Sequence, residues 1–135
     1  ENGQVSGELP EEDDLSLLAA LVESFPQRLG EKLDRWRSRL ADIRRCRQRV
    51  VLWGSGSKGV SFLTTLGVGD QVEYVVDINP HRQGHFMSGT GQLIVGPEFL
   101  QSYRPDAIVV MNALYVDEIR RTVNSLGLNP TLLPL

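Results

Sequence analysis

Three observations predict an α/β fold with a mostly parallel sheet and helices on both faces. First, short β-branched and apolar runs alternate with segments of helical period along residues 49–135, the pattern left by strand-crossover-strand units. Second, the earliest of those runs, residues 50–53, stops at Gly54, Gly56 and Gly59 in G-x-G-x-x-G spacing, after which helical period resumes. Third, the next run, residues 72–78, carries Asp77 eighteen residues after Gly59, near the ~20-residue offset at which a dinucleotide fold places an acid for a ribose hydroxyl. The expected architecture is therefore a Rossmann-like parallel sheet of about five strands, preceded by an N-terminal helical segment.

Residues 1–14 hold six acids and no base, with Gly3, Gly7 and Pro10. They read as a linker or frayed terminus. Residues 15–48 form the helical segment. Leu15, Leu17, Leu18, Leu21 and Val22 crowd into a short helix that Asp13 or Asp14 could cap. A second helix is expected over residues 26–48, with Leu29, Leu33, Trp36, Leu40 and Ile43 at alternating steps of four and three, one apolar stripe. Barely two heptads are present, too few for a coiled coil. The stripe either covers this domain's sheet, the preferred reading, or docks on a neighbouring domain.

The Rossmann-like domain proper is assigned to residues 49–135. After the first strand, the turn and its helix comes the strand ending at Asp77, then a loop over residues 79–92, longer than compact domains usually carry without a function. Residues 93–95 are a short strand, 97–103 a short helix begun by Pro97, and 106–111 a buried strand. Residues 115–126 are amphipathic through Ile119, Val123 and Leu126, and Gly127 ends them. Residues 131–133 supply the last strand, giving the order 3-2-1-4-5.

At 135 residues with 41% hydrophobic content, the chain fits one domain with a real core. No apolar run approaches the length of a membrane span. It starts with Glu1 and shows no signal peptide, as expected of a piece of something longer. The net charge of -3 conceals nine bases against four acids in residues 15–49. Because those bases alternate with acids along a helix, a solvated face is expected rather than a nucleic-acid surface. The single cysteine, Cys46, rules out an internal disulfide and a multi-cysteine zinc site and fits a cytoplasmic chain.

In parallel sheets ligands bind beyond the carboxyl ends of the strands. Three groups are expected there as substrate-binding candidates: the glycine turn with Gly54, Ser55, Gly56, Ser57, Lys58 and Gly59; Asp77 with Asn79, His81 and Arg82; and Asn112 with Tyr115. Each glycine has a mechanical use: Gly54 for the tight exit from the strand, Gly56 for close approach of a ligand, Gly59 for helix-sheet packing. Lys58 opposes the dipole of its helix unless an anion is present, or else points into water. It precedes the last glycine, and no Gly-Lys-Ser/Thr follows, so this is not a P-loop. His81 and His85 lie four apart across Gly84 and read as polar loop side chains, not metal ligands. No catalytic residue and no metal site is assigned.

Residues 52–63, then 74–80, Gln83 with Gly84, 89–91, Ile94 with Val95, and Pro97 with Glu98 closely resemble the C-terminal domain of the C-methyltransferases that act on nucleotide-linked deoxysugars. The likeness covers about residues 49–135. It implies an accessory substrate-binding domain attached behind a domain that binds S-adenosylmethionine, with the nucleotide-sugar between the two. By match of motif, Gly54, Gly56, Lys58, Gly59, Asp77, Asn79 and Pro80 are ligand-side or turn-forming. The family's cysteine-rich zinc segment and cofactor-binding domain are not in this sequence, so no cofactor is expected on this chain, and S-adenosylmethionine is expected in the preceding domain. Two other readings stay open: an NAD(P)-binding domain of an oxidoreductase, with the glycine triplet and Asp77 as its dinucleotide site, and a docking domain with no ligand.

Overall fold

The computed structural model describes residues 25–135. The expected linker over residues 1–14 and the leucine-rich helix begun at Leu15 lie outside them. The chain divides into two compact units, Glu1–Ser38 and Arg39–Leu135, and the division falls inside the first described helix, α1 (Phe25–Arg45). In the second unit Leu40 and Ile43 of that helix are buried. The helix stops three residues before the expected Gln48 because Arg47 turns left-handed at φ 56°. Gln48 N–H then donates to Ile43 C=O at 3.0 Å and Arg47 N–H to Arg44 C=O at 3.0 Å, the paired closure of a Schellman end, with arginine where glycine is usual.

The remaining elements alternate as the sequence predicts. They are β1 (Val50–Trp53), α2 (Ser57–Leu66), β2 (Val72–Val76), β3 (Leu93–Val95), a 3-10 turn (Pro97–Phe99) leading into α3 (Leu100–Tyr103), β4 (Ala107–Val110), a second 3-10 turn (Ala113–Tyr115), α4 (Val116–Ser125) and β5 (Thr131–Pro134). The five strands form one parallel sheet in the order β3-β2-β1-β4-β5. Every residue of β1 and β4 is buried, as strands flanked on both sides and covered on both faces must be. One core gathers Val51, Trp53, Ile108 and Val110 with Leu100, Ile119 and Val123, so α3 and α4 cover that face. Side chains alternate along a strand, so Leu52 points to the other face, where α2 lies with Gly59 against it.

Two glycines of the triplet are required by this packing. Gly54 leaves β1 at φ 123°, a conformation L residues rarely adopt, with Met111 Cβ at 3.0 Å from where its own Cβ would be. At Gly59 an added Cβ would run into the Gly54 carbonyl oxygen, a backbone atom with little room to give. Gly59→Ala should therefore lower the unfolding free energy by about 1–3 kcal/mol, the usual cost of overpacking, measured by urea denaturation. A stability within a few tenths of the parent would show that α2 can lift off the sheet freely.

Candidate functional site

Parallel pairing of β1 with β2 sets the first contact of the site. Gly54 N–H donates to Val76 C=O at 2.9 Å, which brings the next residue of each strand, Ser55 and Asp77, side by side. Ser55 then donates twice to Asp77 Oδ2, through its N–H at 3.1 Å and through its hydroxyl. The other oxygen, Oδ1, accepts from Asn79 N–H at 2.9 Å. Arg82 Nη1 lies 3.7 Å from Oδ2 and donates to Ser55 Oγ at 3.3 Å. Asp77 is only 14% exposed, so this carboxylate is tied into the protein on both oxygens. Its desolvation by burial pushes the pKa up. The hydrogen bonds from the Ser55 side chain, Asn79 N–H and Ser55 N–H, with the charge of Arg82, outweigh that and hold it below the usual value.

The long loop after β2 is ordered by its own sequence. Asn79 Oδ1 accepts from His81 N–H at 3.0 Å and Asn79 C=O accepts from Arg82 N–H at 3.0 Å, an Asx-turn enclosing a backbone turn around Pro80. Gln83 Nε2 reaches back to Asp77 C=O at 2.8 Å. Further on, Phe86 bridges Leu93 in antiparallel sense, Gly84 N–H donates to Ile94 C=O and Ile94 N–H to His85 C=O, both at 2.8 Å. The loop thus doubles back along β3.

Between this loop and the glycine turn opens a cleft of about 660 Å³. Of the sequence-predicted residues, Ser55, Gly56, Ser57, His81 and Arg82 line it. Gly54, Gly59, Asp77 and Asn79 stand behind as supports, and Lys58 is exposed outside the lining. Asn112 and Tyr115 follow β4 at the same edge of the sheet but do not reach the cleft: Asn112 Oδ1 is engaged by Leu114 N–H at 3.1 Å and Tyr115 is 53% exposed. The wall also contains Val60, Ser61, His85, Ser88 and Ile94. Ser61 was findable, since it falls one turn after Ser57 on α2; His85 and Ser88 had no signal beyond membership of the loop. The turn side of the cleft ends at the start of α2, whose Gly56 cap supplies no side-chain hydrogen bond, leaving first-turn N–H groups open toward it.

Outside the cleft lining a few large apolar side chains are exposed. Ile78, Phe86, Leu114 and Tyr115, the large hydrophobic residues most exposed among those described, are 62%, 67%, 87% and 53% exposed. Ile78, Leu114 and Tyr115 follow β2 or β4 at this edge, while Phe86 lies beside Leu93 at the start of β3. Among the described residues no cluster of three or more His, Cys, Asp and Glu could hold a metal ion, and no helix is long and apolar enough to cross a membrane.

A family model described as the C-methyltransferase C-terminal domain matches residues 2–128. No curated protein matches the chain significantly. Similar solved structures include RSP, a Rex-family repressor, at 12% identity and TM-score 0.48, covering 64% of this chain and 51% of that one. The same repressor with β-NAD+ and operator DNA matches at 12% identity and TM-score 0.48, covering 64% and 49%. Its complex with β-NADH matches at 11% and 0.47, covering 64% and 52%. The chain spans about half the length of these structures, and a likeness this loose carries no argument about ligands.

The Asp77 carboxyl should titrate below the ordinary carboxylate value when followed by the carbon-13 shift of Cγ. Because the folded pKa lies below the unfolded one, its contribution to stability is complete above the unfolded value and is lost as pH falls through the folded one. Asp77→Asn should accordingly flatten the acid limb of the stability profile. A midpoint at or above the ordinary value would contradict the hydrogen-bonding described.

Proposed function

Because the chain belongs to the C-methyltransferase C-terminal domain family, we propose that it is the substrate-holding domain of an S-adenosylmethionine-dependent sugar C-methyltransferase and that the cleft takes the diphosphate end of a nucleotide-sugar. Gly56 carries this reading. Its backbone is extended, at φ -79° and ψ -163°, so any residue could adopt it. An added Cβ would meet only Arg82 Nη1, at an ordinary 3.5 Å. Packing and conformation account for Gly54 and Gly59 but leave Gly56 unexplained, unless a ligand approaches its bare backbone. The open N–H groups of α2 and the guanidinium of Arg82 offer what a phosphoryl group binds, and Val60 and Ile94 give the cleft apolar wall for the rest of the molecule.

S-adenosylmethionine and the groups that move the methyl would belong to a preceding methyl-transfer domain. The exposed Ile78, Leu114 and Tyr115, which follow β2 and β4 at the carboxyl edge, suit a surface that such a domain covers when substrate is held between the two. The lone Cys46, exposed and unpaired, agrees with a reducing, cytoplasmic setting.

A thermal-shift panel of nucleotide-sugars, NAD(H), NADP(H) and S-adenosylmethionine tests the reading. A nucleotide-sugar at 100 times its dissociation constant should stabilise the chain by about 2.7 kcal/mol. Gly56→Ala should keep the parent's unfolding curve and lose that response. Stabilisation by NAD(H) with none by nucleotide-sugars would move the assignment to an oxidoreductase. The chain by itself should form no methylated sugar in the presence of S-adenosylmethionine, as read by mass spectrometry.

A further inference from the structure

We propose that Asp77 is a positioning residue, acting through Ser55 to fix the Arg82 guanidinium beside the glycine turn, and that Arg82 is the group the ligand's phosphoryl end meets. This rests on the reading of the cleft as an anion site. An acid at the end of the second strand of a dinucleotide fold reads ribose hydroxyls, for which it needs a free oxygen. Neither oxygen of Asp77 is free of a protein donor. A carboxylate offers about four lone-pair sites; Asn79 N–H, Ser55 N–H and the Ser55 hydroxyl fill three, and Arg82 stands at 3.7 Å from the same Oδ2. A sugar hydroxyl could reach Oδ2 only by breaking one of these bonds, and on Oδ1 it would have to share the oxygen with Asn79 N–H.

The Ser55 hydroxyl has a single proton and gives it to Asp77. Toward Arg82 it can only accept, which it does at 3.3 Å. The result is a directed chain from guanidinium to hydroxyl to carboxylate, in which the buried end is Asp77 at 14% exposure and the open end is Arg82 at 48%. Arg82 commits one nitrogen to this chain, and a guanidinium carries five N–H donors, so its others remain for an oxyanion. Nη1 stands next to Gly56, 3.5 Å from the position of a Cβ there. A phosphoryl group lying against the bare Gly56 backbone would find the arginine already placed. Recognition is then by charge and fork geometry rather than by sugar hydroxyls.

The test uses the 135-residue chain with inorganic diphosphate as probe in titration calorimetry, alongside the nitrogen-15 side-chain resonances of Arg82 without ligand. Arg82→Ala should weaken diphosphate binding about tenfold or more, the loss expected for a charge-assisted hydrogen bond. Asp77→Asn should weaken it in the parent and change nothing further in the Arg82→Ala background. Ser55→Ala, which leaves the carboxylate in place, should act in the same direction. An equal loss from Asp77→Asn with and without Arg82 would mean that the carboxylate does not act through Arg82 and would overturn the proposal. Failure of the parent to bind diphosphate would remove the anion reading of the cleft. The Arg82 resonances decide the positioning separately: a protected Nη1–H signal that vanishes in both Asp77→Asn and Ser55→Ala upholds it, and one indifferent to both refutes it.

Discussion

One carboxylate joins the two segments that make the cleft. Asp77 gathers hydrogen bonds from the turn after β1, at Ser55, and from the loop after β2, at Asn79, and it holds Arg82 by charge. These contacts span residues 55 to 82, yet the parallel register of β1 and β2 makes them neighbours without any long-range search once the strands pair. Removing the acid would leave two N–H groups and a hydroxyl without their acceptor, a penalty of about 1–3 kcal/mol for each that stays buried. The shape of the cleft follows from that tie, since both walls are fixed to the same two oxygens.

Much of this was legible in the sequence for a simple physical reason. Strands covered on both faces read as unbroken apolar runs, so residues 50–53 and 107–110 declared themselves as central, and the glycine triplet marked where the chain must turn tightly. The neighbours of Asp77 were not legible: the motif fixes where an acid falls along the chain but says nothing of which donors reach its oxygens, and the sugar-hydroxyl role expected for it would share those oxygens with Ser55 and Asn79. Nor was the helix end at Arg47, because a left-handed arginine carries no signal of the kind glycine gives. The loop after β2 was visible by its length, while its return along β3 depends on backbone bonds that leave no residue pattern.

The two edges of the sheet are put to different uses. At the amino edge, Arg49 N–H is held by Asp106 at 2.7 Å, its guanidinium lies over the Tyr103 ring, and Tyr103 donates to Glu73 at 2.9 Å. Burial first, and then the Glu73 contact, push the Tyr103 phenol up to about 12, so it remains a neutral donor at any physiological pH. Every one of these groups is satisfied by another. The carboxyl edge instead leaves helix N–H groups, an outward guanidinium and two histidines facing open space.

The doubling back of the loop along β3 bears on how this domain can associate. A parallel sheet ends in two strands whose outer N–H and C=O groups invite another strand to pair, the usual route to fibrils and swapped dimers. Here Ile94 in β3 spends both its outward groups on Gly84 and His85, and β5 carries Pro134, which has no N–H to give. Growth of the sheet sideways is blocked at one flank and interrupted at the other. Association through side chains is not blocked in this way, and among the described residues Ile78, Phe86, Leu114 and Tyr115 are the exposed large hydrophobic side chains that could take part in it.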